Sequence, residues 1–211
     1  MSDEHVNKFR KALEANVSGF GLEPLTENQL DRLAKHYEMM REWNRHVNLT
    51  RIVDPKEAAR LHYADSLFGA SFVGGAKTVL DIGSGAGFPA VPLAVLRPDL
   101  AVTALEASHK KSVFLFEAKD ALELPNLNIA RSRFEEFDWS SFDLLTSRAL
   151  DRAGDALRPL VKALKHSQRL LLYCGPDLIE SLARFAPSTH RIEKHAIPQS
   201  DERFVAVFAR S

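Results

Sequence analysis

The sequence predicts an α/β protein: a seven-stranded, mostly parallel sheet with helices on both faces and an N-terminal helical extension. Three observations carry this. Helical periodicity runs to a Gly74-Gly75 break, and beyond it apolar runs alternate with helical stretches, the signature of right-handed βαβ crossovers. The first of those runs, Val79-Leu80-Asp81-Ile82, ends in three glycines, Gly83, Gly85 and Gly87, which reads as a strand entering a ligand-binding turn. The 211 residues allow one such domain with an appendage.

Taken in order, Thr26 and Gln29 form a capping-box signature. Leu30, Leu33, Ala34, Tyr37, Met40 and Trp43 follow at three- and four-residue steps, predicting an amphipathic helix with one buried face. A second helix is expected from Pro55, a good first-turn residue, through Ala58, Leu61 and Leu67 to the glycine pair. That pair divides a helical subdomain, 1–75, from a sheet domain, 76–211. Strands are predicted near 77–82, 101–106, 126–130, 143–147, 168–174, 189–196 and 202–208, with helices in the gaps. Arg169 to Cys174 reads as a strand buried on both faces, and Phe204 to Phe208 as the closing strand.

Composition narrows the function classes. Lysine plus arginine equals aspartate plus glutamate at 28 each, so net charge makes no case for a polyanionic partner. A local patch would have to serve, and Arg32, Lys35, Arg41, Arg45, Arg51, Lys56 and Arg60 outnumber Glu38, Glu42, Asp54 and Glu57 in the helical region. No apolar run is long enough to span a bilayer, and a cytoplasmic protein with no membrane partner is expected. The lone Cys174 excludes an internal disulfide, and the scattered histidines signal no metal. A monomer is expected.

The glycine turn is where a cofactor would lie. Asp81-x-Gly83-x-Gly85-x-Gly87 departs from the dinucleotide fingerprint, yet Gly85-x-Gly87-x-x-Ala90 satisfies it, so a nicotinamide or flavin ligand stays open on spacing alone. A carboxylate before the first glycine suits an ammonium and opposes a pyrophosphate, which favours S-adenosylmethionine. Glu106 closes the next apolar run at the distance expected of a ribose acceptor, its two oxygens matching two vicinal hydroxyls. Phe88 could cover the adenosine or simply pack under the first helix of the sheet domain.

Several segments together resemble the small-subunit ribosomal RNA guanine-N7 methyltransferases, long labelled glucose-inhibited division protein B. They are Trp43 to Thr50 (WNRHVNLT), His62 to Ser66 (HYADS), Asp81 to Pro89 (DIGSGAGFP), Lys110-Lys111 through Phe114-Leu115, Arg133 to Glu136 (RFEE) and Ser147-Arg148-Ala149. The resemblance implies a class I methyltransferase, Rossmann-like fold, with S-adenosylmethionine as methyl donor and no metal. It also implies a cofactor pocket of Gly83, Phe88, Phe134, Glu135 and Arg148, and 16S ribosomal RNA or the small ribosomal subunit as partner. Two positions depart from the family pattern. Cys174-Gly175 stands where lysine-glycine is usual, and the usual terminal lysine region reads Phe208-Ala209-Arg210. The first raises a rival cytosine-C5 chemistry, set against a buried cysteine acting as a small hydrophobe.

Methyl transfer to N7 needs no general base, so no catalytic dyad is expected; alignment of the reactants, worth up to about 7–11 kcal/mol, would do the work. His62 and Asp65 are read as a buried hydrogen-bonded pair. Arg148 is the candidate for contact with substrate or cofactor, with Arg45 and Arg51 as further substrate contacts. Two other readings remain: an NAD-dependent oxidoreductase, and a non-catalytic RNA-binding or ribosome-assembly protein.

Overall fold

The computed structural model describes residues 2–148, 168–185 and 190–210. The chain opens with α1 (Ser2–Gly19), which buries Phe9, Leu13 and Val17, and α2 (Glu27–Trp43), which buries Leu30, Leu33, Tyr37 and Met40. The capping box forms: the Gln29 amide donates to Thr26 Oγ1 at 3.3 Å, and the Thr26 amide donates to the Gln29 side chain at 2.9 Å. Asp54 caps α3 (Pro55–Ala58) by accepting the Lys56 and Glu57 amides.

The single helix expected from Pro55 is broken. After α3 comes a π-helical turn, Ala59–Ala64, and then α4 (Asp65–Ala70). One widened turn leaves the apolar periodicity nearly intact, so the sequence pattern does not register it. Such turns depend on tertiary partners for the displaced backbone and gather at functional sites.

Seven strands follow: β1 (Thr78–Ile82), β2 (Ala101–Leu105), β3 (Leu127–Ala130), β4 (Leu144–Ser147), β5 (Arg169–Cys174), β6 (His190–Ala196) and β7 (Phe204–Arg210). Interleaved are α5 (Ala90–Leu96), α6 (His109–Ala121), a 3₁₀ turn at Phe134–Glu136 and α7 (Pro176–Phe185). The helix expected between β4 and β5 lies outside the described residues. Spatial order is β3-β2-β1-β4-β5-β7-β6, with β7 antiparallel to both neighbours and the other pairings parallel. The α/β class and the mostly parallel seven-stranded sheet are as the sequence predicts.

Strand alternation splits the core into two. Val79 joins the cluster that contains Phe9, Tyr37, Tyr63, Phe88 and Phe114, on the side of the N-terminal helices. Leu80 and Ile82 join Leu105, Leu145, Leu170, Leu172 and Phe208 on the opposite face, where Phe134, Trp139 and Leu178 pack against them. Asp143 pins the amino end of the sheet by accepting the Lys77 and Thr78 amides at 2.8 and 2.9 Å. The strand order reverses between β1 and β4, and the crevice outside the carboxyl ends of strands at such a reversal is where ligands bind in open α/β sheets.

Candidate cofactor and substrate site

The turn after β1 is built by its glycines. Gly83, Gly85 and Gly87 all have left-handed backbone, with φ of 72°, 57° and 91°. At Gly87 a Cβ would also come within 2.7 Å of Val91 Cγ2, so the turn could not pack against α5 with a side chain there. The glycine amides of this turn are committed internally. Those of Gly83 and Ser84 donate to the Leu105 carbonyl, that of Gly85 to Glu106 Oε2, and that of Gly87 to the Ser84 carbonyl. A pyrophosphate nest needs such amides free, so their commitment counts against a dinucleotide.

Asp81 lies at the centre of the sheet, paired with Ala104 on β2 and Thr146 on β4, and is fully buried. Its Oδ2 accepts from Ser84 Oγ and from the Ala90 amide at the start of α5, so half of the carboxylate is a cap. Its Oδ1 is buried without a hydrogen-bond partner. Burial pushes its pKa up to about 7 against those two hydrogen bonds. An uncompensated carboxylate oxygen in a turn of spent amides suits a cationic ligand.

Glu106, 8% exposed, follows β2; its Oε2 accepts the Gly85 amide at 2.9 Å and its Oε1 the Ser108 amide at 2.8 Å. Each oxygen keeps a second lone pair, so the carboxylate is held in place before any hydroxyl reaches it. Phe134 stacks on Trp139 at 5.9 Å between centroids, and Glu135 is exposed beside it on the 3₁₀ turn after β3. Both stand near the carboxyl end of the sheet, on the β3 side of the turn.

Phe88 packs closely on the N-terminal side. It is 7% exposed, stacks on His62 at 4.6 Å, and meets Tyr63 and His36 edge-on. Its ring joins the glycine turn to the N-terminal helices.

Arg148 is engaged within the protein. Its guanidinium donates to the carbonyls of Leu61 (2.6 Å) and His62 (2.9 Å) and to Ser66 Oγ (3.1 Å), and its carbon lies 5.5 Å from the Tyr173 ring centroid. It therefore straps the π-helical turn to the end of β4 and still lines a cleft beside β5. The expected His62–Asp65 pair does not form. His62 Nε2 bonds Thr50 Oγ1 at 2.8 Å, and burial lowers its pKa to about 3, while Asp65 pairs with Arg203. His62 lies in the π turn and Asp65 begins α4, and each finds a more distant partner.

The segment most distinctive in sequence proves to be scaffold. Asn44 Oδ1 accepts the amides of Leu49 and Thr50 at 2.8 and 3.0 Å, closing the loop after α2, and Thr50 then holds His62. Arg45 and Arg51 are exposed on this loop, with Arg45 bonded to Glu42 at 2.9 Å. A surface depression nearby collects Lys35, Arg41 and Arg45 with Glu38 and Glu42, so the basic face is mixed in charge. Cys174 is buried at the end of β5, as a small hydrophobe would be. Among the described residues no cluster of three or more histidine, cysteine or acidic side chains could hold a metal ion, and no helix is long and apolar enough to cross a membrane.

Sequence reasoning missed Arg203. It sits at the entrance to β7, 138 positions from Asp65, and no local pattern marks it. Only the antiparallel return of β7 beside β5 brings it to the cleft.

The chain's relatives agree with this geometry. The GidB family model, described as rRNA small subunit methyltransferase G, matches residues 29–204. A protein named ribosomal RNA small subunit methyltransferase G from Solibacter usitatus is 37% identical over 79% of this chain and 83% of its own length. One of the same name from Neisseria meningitidis serogroup B is 30% identical over 95% of this chain and 98% of its own. Among solved structures, an O-methyltransferase from Bacillus cereus in complex with SAH superposes with a TM-score of 0.61 at 17% identity, covering 94% of this chain and 97% of that one. An O-methyltransferase described as putative, from Klebsiella pneumoniae, superposes at 0.62 with 14% identity, covering 90% and 93%. These two share the fold: the sheet is that of the class I methyltransferases. Matched by the family model over residues 29–204 and by relatives over most of its length, the chain belongs to the GidB family of rRNA small subunit methyltransferases.

Proposed function

We propose that this chain transfers a methyl group from S-adenosylmethionine to N7 of a guanine in 16S ribosomal RNA, with residues 76–211 as the cofactor domain. The observation that carries the reading is the unpartnered, buried Oδ1 of Asp81 beside glycine amides already committed elsewhere. That combination suits an ammonium-bearing cofactor without phosphates and disfavours the oxidoreductase alternative. Asp81 would hold the ammonium and Glu106 the ribose hydroxyls. Gly83, Gly85 and Gly87 would let the cofactor lie against the main chain, with Phe134 and Glu135 beside the adenine. Phe88 and Arg148 would act from behind, fixing the turn and the rim. When bound, this cofactor supplies a methyl on a sulfonium, taken by the N7 lone pair as the carbon–sulfur bond breaks to leave a neutral thioether.

Because that lone pair carries no proton, the protein needs no general base, in keeping with His36 and His62, whose pKa values burial lowers to about 3. Its task is to hold the base in line. Arg45 and Arg51, exposed on the loop after α2, suit phosphates of a structured RNA. The RNA partner fits a cytoplasmic, monomeric enzyme acting on the small subunit. Labelled methyl should appear on one guanine when undermethylated small subunits are incubated with the protein and labelled cofactor. Binding without label would favour the non-catalytic reading.

The Asp81 assignment has its own test. The free protein keeps a proton on Asp81 below about pH 7, whereas a cation beside it favours the ionised form. Binding therefore expels a proton, and affinity for S-adenosylhomocysteine should fall by up to about tenfold per pH unit below 7. Calorimetry in buffers of different ionisation enthalpy at pH 6 should register that proton, and Asp81→Asn should abolish both effects. A flat affinity from about pH 5.5 to 7.5 would remove Asp81 from the pocket.

A further inference from the structure

Beside β5 lies a cleft of about 300 Å³ lined by Asp65, Arg148, Tyr173, Cys174, Ile197 and Arg203, at the small end of ligand pockets and nearer to one base than to a dinucleotide. Two groups in its wall are incompletely used. Asp65, 3% exposed, takes Arg203 Nη1 on its Oδ2, while Arg203 Nε donates to Ser200 Oγ at 3.1 Å. Asp65 Oδ1 and Arg203 Nη2 are both shielded from water and have no hydrogen-bond partner. Arginine–carboxylate pairs frequently close as a two-pronged fork. This one engages a single prong, leaving an acceptor on one partner and a donor on the other.

An acceptor and a donor on two paired side chains are together the complement of a lactam, in which a carbonyl oxygen adjoins an N–H. Resting on the methyltransferase reading above, we propose that Asp65 and Arg203 form a clamp that selects guanine: Asp65 Oδ1 accepts from N1–H and Arg203 Nη2 donates to O6. Adenine presents the opposite polarity, a bare N1 beside an amino group, and would leave both protein groups unpaired. Uracil has a lactam but no N7. The clamp also acts on rate. Methylation at N7 makes the base cationic and N1–H a stronger donor, so its bond to a carboxylate tightens as the charge develops.

The test uses base analogues at the methylated position in reconstituted small subunits, with the full-length protein. Inosine keeps the lactam and N7; 2-aminopurine keeps N7 and lacks the lactam. Wild-type protein should methylate inosine at least about 100-fold faster than 2-aminopurine. In Asp65→Asn the amide oxygen turns to Arg203 and its NH₂ faces the cleft. That variant should lose at least about 100-fold in kcat on guanine, and its inosine preference should fall below about tenfold, while S-adenosylhomocysteine affinity stays within about threefold. Wild-type protein that methylates both analogues within about threefold of each other overturns the clamp. So does Asp65→Asn with unchanged kcat and preference. The wild-type arm needs no variant to fold. Absence of label on guanine itself overturns the methyltransferase reading and the clamp together, whereas labelled guanine with equal use of 2-aminopurine overturns the clamp alone.

Discussion

Arg148→Ala should destabilise the protein by about 3–5 kcal/mol, because it removes three hydrogen bonds made by one buried, charged donor that ties the π-helical turn to the end of β4. At roughly 2–4 °C per kcal/mol for a chain of this size, thermal unfolding should shift down by about 6–20 °C. Arg148→Lys should recover less than half of the loss. A lysine ammonium is a point donor and cannot span the Leu61 and His62 carbonyls that the planar fork reaches together. Methyl transfer should fall further than stability accounts for, since the π-helical turn bears both His62, stacked on Phe88, and the approach to Asp65. Urea denaturation with parallel activity assays at a temperature where the variant is folded separates the two effects. A midpoint within 1 kcal/mol of wild type would show that Arg148 does not hold the turn.

Phe9→Ala should cost a similar amount, about 3–5 kcal/mol. The ring is completely buried, stacks on Tyr37 at 4.3 Å and meets Tyr63 edge-on at 4.7 Å, so it joins α1 to α2 and to the π-helical turn. Its loss leaves a cavity where three elements converge, and the surrounding helices can collapse only in part. Local consequences should reach the site: amide exchange in residues 59–64 should accelerate, because Tyr63 loses its neighbour and His36 Nδ1 holds the Tyr63 hydroxyl at 2.8 Å. Phe9→Leu should retain about half of the stability. Unchanged exchange in that turn, with the global loss present, would confine the role of α1 to bulk stability.

The parts of this protein legible in its sequence are those whose causes are local. Thr26 and Gln29 announce the start of α2 because a capping box closes within four residues. Strand positions follow from alternation and apolar runs, and the predicted strands at 77–82 and 168–174 are observed at Thr78–Ile82 and Arg169–Cys174. The closing strand is displaced, from a predicted 202–208 to Phe204–Arg210, its ends set by antiparallel pairing with Cys174 of β5 and His190 of β6. Glycine spacing and strand ends single out Asp81 and Glu106, and the structure brings both against the same turn.

What resisted reading depends on contacts between distant segments. The packing of Phe88 against His62 and Tyr63 is one such contact. The His62–Asp65 pairing failed because one hydrogen-bond register, shifted from α to π, redirects two side chains without changing the apolar pattern.

Composition, alternation and glycine spacing determined the α/β class, the strands and the glycine turn after β1, since each acts over a few residues of backbone. The partners of Arg148, Asp65 and Arg203 were decided by tertiary structure alone: carbonyl groups 86 and 87 positions away and an ion pair spanning 138 meet only because the sheet reverses direction between β1 and β4 and β7 returns beside β5. Hydrogen-bond and ion-pair energies fall off within a few ångströms, so such pairings exist once the chain is folded and leave no periodic trace along it.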